Sequence, residues 1–443
     1  MRWIQTPFVL ALLTLAIVCG LLVTAGIWRY GNSEGLVRRV QVEMEHWTPH
    51  ENMLPTPLPR RVNVRNLQDV SFAHQKKTPL AQVTSADEVI LLPTITPVPL
   101  TRTNESKNLP VATATALPSP TPTYQSPLPA VELTGLRHEW QTWNNCGPAT
   151  LSFYLSYFGS RLTQADTGSQ LRHHPDDKNV LPEELAEFAR QQGYLATVRV
   201  NGDNNLLRTF LSNGIPVIIE TWLEEEPNDG MGHYRLLTGY NDAEQSWIAY
   251  DSYITRTLIN PEGPYRGIRL PYGETDALWR VFNRVYLLVY PSEKEELVRS
   301  IFGESLSDPV KSEAAALERA KNEIAINPND PYAWFNLGSM QMSFNNPIEA
   351  ATAFDRARTI GLPWRMLWYQ FEPFEAYYAT GRYEEIIALT DATMRNVKSI
   401  EELYYWKGNA LAALGNPNAA RKQWQLALTY NPEYQPAQNA LKQ

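Results

Sequence analysis

The chain has 443 residues, with 39 Lys and Arg against 47 Asp and Glu, a formal net charge of -8. That length suggests two or three domains. The acidity excludes a nucleic-acid binder as the starting expectation, and none is expected as a partner.

In chain order, the first feature is an uncharged apolar run from Pro7 to Trp28, long enough to cross a bilayer. Val23-Thr24-Ala25 offers a signal-peptidase site. The run continues past it, which favours an uncleaved signal anchor, a transmembrane helix over residues 1–30. Arg2 precedes the run, while Arg29, Arg38 and Arg39 follow it, so charge does not settle orientation. Cys19 is preceded by Val18, where a lipobox needs a small residue, and reads as an apolar residue of the span. Residues 31–130 contain LLPTITPVPLTRT and VATATALPSPTPTYQSPLP. Proline removes amide donors and fixes φ, so this stretch reads as a disordered Pro/Thr-rich stalk with no core. Such a stalk would hold the later domains outside the membrane. If the N-terminal run were cleaved, they would be secreted.

A folded domain is expected over 131–292. LSFYLSYFG places Leu151, Tyr154, Leu155 and Phe158 on one helical face. LPEELAEFARQQG reads as a second helix, with Pro182 in its first turn and Gly193 at its end. A third short helix spans about Asn204 to Leu211. The strands IPVIIETW, HYRLLTGY, SWIAYDSY and VYLLVYP follow. Helices first and strands after suggest an α+β domain with an antiparallel sheet.

Residues 308–443 read as an all-α tetratricopeptide repeat domain. Trp334, Leu337, Gly338, Ala350, Phe354 and Ala357 have that spacing, and Gly408, Ala420, Trp424, Ala427 and Pro432 return in register. The middle unit is degenerate, with Pro373 where a small helical residue is expected. Repeats of this kind are expected to bind a protein or peptide partner.

Cys146 is the thiol outside the N-terminal run. It opens a helix, where unpaired amides and the helix dipole stabilise an anion. A buried structural thiol, or one retained after loss of activity, is the alternative. Of the seven histidines, His173 and His174 read as polar loop residues, and no metal or cofactor is expected. His233 opens the strand HYRLLTGY after the turn NDGMG, with room beside it. Asp251 ends the next strand, and a hairpin would bring it beside His233 to fix the imidazole tautomer. Asp242, the rival carboxylate, reads as a turn former. Gln141 is a candidate oxyanion donor, or a surface residue.

The order Gln, then Asn-Cys-Gly-Pro-Ala opening a helix that ends Tyr-Phe-Gly, resembles the double-glycine leader peptidases, cysteine peptidase family thirty-nine, and their stand-alone relatives. Gly214-Ile215-Pro216-Val217, Gly232-His233-Tyr234 and Gly239-Tyr240 extend the resemblance over roughly residues 131–291. It implies a papain-like fold, with Cys146, His233 and Asp251 in the catalytic positions and Gln141 near the oxyanion. There are departures. No phosphate-cradling loop of a transporter is present. Ser252 stands where the family usually has proline, and Gln141 is one residue closer to the cysteine. The expectation is a membrane-anchored, externally facing thiol hydrolase, a cysteine peptidase acting on a peptide or protein. A catalytically inactive scaffold working through its repeats is the alternative, and an acyl or amide transferase a third.

Overall fold

A computed structural model of the chain describes residues 53–58, 124–224 and 230–442. The expected membrane anchor at 1–30 and most of the expected stalk lie outside the described residues. Among the described residues, no helix is long and apolar enough to cross a membrane.

The first region contains β1 (Ala130–Glu132), α1 (Cys146–Tyr157), α2 (Gln164–Leu171), α3 (Pro182–Gln191), β2 (Leu195–Arg199) and α4 (Asn204–Ser212). It continues with β3 (Val217–Leu223), β4 (Met231–Asn241), β5 (Ser246–Tyr250), β6 (Ile268–Pro271), α5 (Tyr272–Trp279) and β7 (Tyr286–Tyr290). The strands form one antiparallel sheet in the order β2-β7-β3-β4-β5-β6, and β1 pairs with the far end of β4. The α+β expectation therefore holds.

Alternation along the strands explains why both faces are covered. Ile218, Tyr234, Leu236, Leu287 and Val289 pack with Leu151, Phe153 and Leu155 of α1 and Leu185 and Phe188 of α3. Their neighbours Val217, Ile219, Leu237, Tyr286 and Leu288 face the opposite way, onto Leu207, Phe210 and Leu211 of α4 and Trp279 of α5. Each fully buried Leu or Phe contributes roughly 1.5–3 kcal/mol. At Gly239 a Cβ would lie 2.2 Å from the Val131 carbonyl oxygen, so glycine is what allows β1 to pair there.

The second region is all-helical: α6 (Glu295–Ser307), α7 (Pro309–Ile326), α8 (Pro331–Ser343), α9 (Pro347–Ile360), α10 (Glu372–Ala379), α11 (Tyr383–Met394), α12 (Glu401–Ala413), α13 (Pro417–Tyr430) and α14 (Gln435–Lys442). Proline begins α7, α8, α9 and α13, where a missing amide costs nothing. Asp330 caps α8 by accepting from the Tyr332 and Ala333 amides. The α8/α9 and α12/α13 hairpins share one close contact. A Cβ at Gly338 would lie 2.6 Å from the Phe354 ring, and one at Gly408 would lie 2.4 Å from the Trp424 ring. This helical region is consistent with repeats. The stretch read as a degenerate unit contains a short helix. Pro373 can occupy only a first turn, so α10 has 8 residues and the chain before it forms a 3-10 turn, Trp364–Trp368.

The two regions share a core. Trp222, Val281 and Phe282 pack with Trp364, Leu367 and Trp368. Asn336 Nδ2 donates to the Arg280 carbonyl at 2.8 Å, and Ser399 Oγ to that of Asp176 at 2.6 Å.

Parts of the expected stalk are packed, which corrects the reading of 31–130 as lacking a core. Leu54 is 5% exposed within the helical region. Gln125 and Asn213 exchange two hydrogen bonds of 2.8 and 2.7 Å. Proline withholds donors but leaves carbonyls and apolar side chains free to bind.

Gly338→Val and Gly408→Val are each expected to cost about 1–3 kcal/mol in urea unfolding, because the partner ring must give way. Gly273→Ala in α5 meets open space, and is expected to be neutral or to stabilise by up to about 1 kcal/mol.

Candidate functional site

The N-terminus of α1 is pressed onto β4. A Cβ at Gly147 would come within 3.3 Å of the Tyr234 ring, so the glycine permits the close approach. The Tyr154 hydroxyl accepts from the Val289 amide at 3.0 Å and donates to the Pro216 carbonyl, fixing the helix to the sheet. The first turn of α1 contains no acidic residue, so no carboxylate of its own competes for its amides. Cys146 stands there, half-buried and not in a disulfide.

The β4/β5 register pairs Leu236 with Tyr250. The next residue, Asp251, is thereby carried alongside Arg235, which shares a strand face with His233. His233 Nε2 lies 3.1 Å from each oxygen of the Asp251 carboxylate. Arg235 Nε donates to Oδ2 at 3.0 Å, and the Tyr253 and Ile254 amides each donate to Oδ1 at 2.8 Å. Asp251 is fully buried and His233 only 3% exposed. With Nε2 held by the carboxylate, Nδ1 is the nitrogen left for the hydrogen bond to Cys146.

The charges reinforce one another. Burial pushes the Cys146 thiol up, but the hydrogen bond and charge of His233, with backbone hydrogen bonds at Tyr234 and Gly147, bring it below its ordinary value. Burial pushes His233 down, and the Asp251 and Cys146 anions more than reverse this, raising it to about 9. Burial would raise Asp251, yet His233, Arg235 and the Ile254 amide hold it well below the usual carboxylate range. Both shifts run toward the charged forms of the pair, thiolate and imidazolium.

The structure brings Cys146, His233 and Asp251 together. Gln141 joins them through Ser252: the Gln141 amide donates to the Ser252 carbonyl at 2.9 Å, and Ser252 Oγ donates to Gln141 Oε1 at 2.8 Å. The two departures noted above are therefore in contact, with Ser252 supplying a hydroxyl that proline lacks. Asp242 is elsewhere, bidentate to Arg208 at 2.8 Å and accepting from the Tyr272 hydroxyl. His174 Nδ1 accepts from the Asp176 amide. Among the described residues, no cluster of three or more His, Cys, Asp or Glu is placed to hold a metal ion.

Several neighbours escaped the sequence reading. Arg235 was recoverable, since a strand's period of two places it on the His233 face. His138 stacks on Tyr265 with ring centroids 3.4 Å apart, and its Nε2 lies 2.9 Å from the Asp251 carbonyl oxygen. Glu220, a carboxyl inside the apolar strand VIIETWL, is raised well above its ordinary value by burial and by the charge of Cys146. Tyr369 comes from the helical region. A Cβ at Gly232, next to His233, would lie 3.1 Å from the Tyr369 ring, and the phenol reaches the Gly232 backbone. Its one signal in the sequence was the irregularity of the middle repeat.

Residues 133–260 match the model of the Peptidase_C39 like family. The resemblance carried by the Cys146, His233 and Asp251 motifs therefore stands for that region. Solved structures similar to part of the chain include the peptidase domain of Streptococcus ComA, at 16% identity and a TM-score of 0.27, covering 36% of this chain and 100% of that one. Another is a double glycine motif protease from an AMS/PCAT transporter, at 19% identity and 0.27, covering 38% and 99%. A third is MamA, at 13% identity and 0.28, covering 31% and 81%. No curated protein matches the chain.

In a nuclear magnetic resonance titration, the His233 ring is expected to titrate near pH 9 in the native chain and lower in Cys146→Ala. His233 is raised above an unfolded value of about 6.5, so its contribution to stability is full below about pH 6.5 and is lost as pH rises through about 9. Titration near 6.5 in the native chain would contradict the ion pair.

Proposed function

We propose that the chain is a cysteine peptidase, with Cys146 as nucleophile, His233 as base and then acid, and Asp251 as the group that orients His233. The single observation that carries the reading is a thiol at a helix start hydrogen-bonded to an imidazole, itself held by a buried carboxylate. The family match over residues 133–260 supports it. Cys146 Sγ attacks the scissile carbonyl carbon and forms a C–S bond. The C–N bond breaks as the proton on His233 passes to the leaving amine. Water then attacks the thioester, gives its proton to His233, and releases the acid and the thiolate. The Cys146 backbone amide and the Gln141 carboxamide hold the developing oxyanion, with Ser252 fixing the carboxamide.

The substrate is a peptide or protein segment. Tyr369 lies over Gly232, so the helical region forms one wall of the cleft beside His233. The remaining helical surface, read as tetratricopeptide repeats, binds a protein or peptide partner. The apolar run at 7–28 anchors the chain to a membrane, and the Pro/Thr-rich residues let the body face outward. The close cover of Tyr369 and the burial of His233 also favour a second reading, in which the site binds a peptide without cleaving it.

The test is cleavage of a peptide library by the purified chain beside its variants. Cys146→Ala is expected to abolish cleavage, and His233→Ala to lower kcat by about 10²–10⁴-fold. Ser252→Pro is expected to lower kcat with less change in KM, because Gln141 loses its anchor. Alkylation of Cys146 separates the two readings. Fast alkylation well below pH 8 that depends on His233, with cleavage, supports the peptidase. The same alkylation without cleavage of any peptide leaves the binding reading, and slow alkylation sinks the ion pair.

A further inference from the structure

Residues 53–58, Met-Leu-Pro-Thr-Pro-Leu, lie extended on the helical region far along the chain from it. Met53 forms an antiparallel bridge with Pro363, and the Leu54 amide donates to the Leu362 carbonyl at 2.9 Å. Leu54 is 5% exposed and shares a core with Leu362. A Cβ at Gly361 would lie 2.8 Å from Met53 Cε.

The polar contacts are more specific. Arg358 of α9 and Glu385 of α11 are each 3% exposed and pair at 2.6 Å. Burying two charges costs several kcal/mol per ion unless their other hydrogen-bonding positions are satisfied. The remaining fork of Arg358 is filled by the Pro55 carbonyl oxygen, 2.9 Å from Nε and 2.6 Å from Nη2. The second oxygen of Glu385 accepts the Leu58 amide at 2.9 Å. A buried cation and a buried anion thus read a carbonyl and an amide of one extended strand.

The prolines fit this pattern. Pro55 and Pro57 have no amide hydrogen to bury. The Leu54 and Leu58 amides are both used, and Thr56, whose amide is the one between them, is exposed. The recognised unit is therefore Leu-Pro-X-Pro-X, because the Leu58 side chain is 42% exposed. The same pattern recurs as Leu117-Pro118-Ser119-Pro120-Thr121.

We propose that the groove between α9 and α11 is a binding site for extended Leu-Pro-X-Pro segments, occupied in cis by residues 54–58. Arg358 and Glu385 supply the backbone recognition and the pocket around Leu54 the apolar anchor. Occupation ties residues 59–123 at both ends and shortens the tether preceding the folded body.

The test uses the full chain. In the native protein, the Leu54 and Leu58 amides are expected to exchange far more slowly than in a free peptide. Leu54→Asp is expected to free both, while the amides of α9 and α11 stay protected, which separates release of the segment from loss of the fold. A fluorescent peptide of residues 51–60 is then added to Leu54→Asp/Leu117→Asp, where both internal copies are disabled. It is expected to bind saturably, and at least about tenfold more weakly to the native chain, whose own segment competes at high effective concentration. Free-peptide exchange of Leu54 and Leu58 in the native protein would overturn the proposal, as would failure of the double variant to bind the peptide. Neither readout needs cleavage activity, so the result stands apart from the peptidase reading.

Discussion

The Asp251 carboxylate is the point on which the site is built. A carboxylate with no solvent contact is unfavourable unless several donors replace its water. Here His233, Arg235 and the amides of Tyr253 and Ile254 do so. Because those donors come from β4 and the loop after β5, satisfying one buried anion also fixes the hairpin, the loop and the imidazole plane. The His138 and Tyr265 contacts to the Asp251 backbone extend the same constraint toward the chain entering α1. The helix carrying Cys146 and the strand carrying His233 are then set independently, by Tyr154 and by the sheet.

The formal charges cancel. In the charged form of the pair, thiolate, imidazolium, carboxylate and guanidinium sum to zero, and a protonated Glu220 adds nothing. Burial is the larger reason that Glu220 is raised, and the charge of Cys146 adds to it. The ion pair is therefore stabilised by arrangement instead of net charge. Local dipoles and short hydrogen bonds carry such an arrangement better than bulk acidity does. Arg235 has a second consequence. After His233, its charge is the next to hold Asp251 below the usual carboxylate range, with the Ile254 amide.

Much of this was legible from the sequence, for identifiable reasons. A scarce thiol before a helical run, a histidine opening a strand after a glycine turn, and an aspartate closing the next strand are all local signals. The α+β and all-helical regions were legible from periodicity. What escaped has little periodicity to offer. In α2, the buried residues are Gln164, Thr167 and Leu171, so a polar sequence forms a helix through its Thr163–Asp166 capping box and the contacts Gln164 makes with Glu139 and Asn145. β2 and β6 are short, and β2 takes its identity from β7, a partner distant in sequence. The packing of residues 53–58 depends on Arg358 and Glu385, about three hundred positions away, and composition alone read that segment as unpacked.

The stretch between α9 and α11 joins the helical region to both of these features. A regular helix pair between α9 and α11 would bury its own backbone and offer nothing to other segments. Pro373 delays the first helix of that unit, and Leu362 to Phe371 must find partners outside the pair. At one end Leu362 and Pro363 receive the extended segment at 53–54. At the other, Tyr369 reaches Gly232 beside His233. Between them, Trp364, Leu367 and Trp368 fill the core shared with Trp222 and Phe282. The irregular stretch from Leu362 to Phe371 thus contacts both the strand carrying His233 and the segment at 53–54.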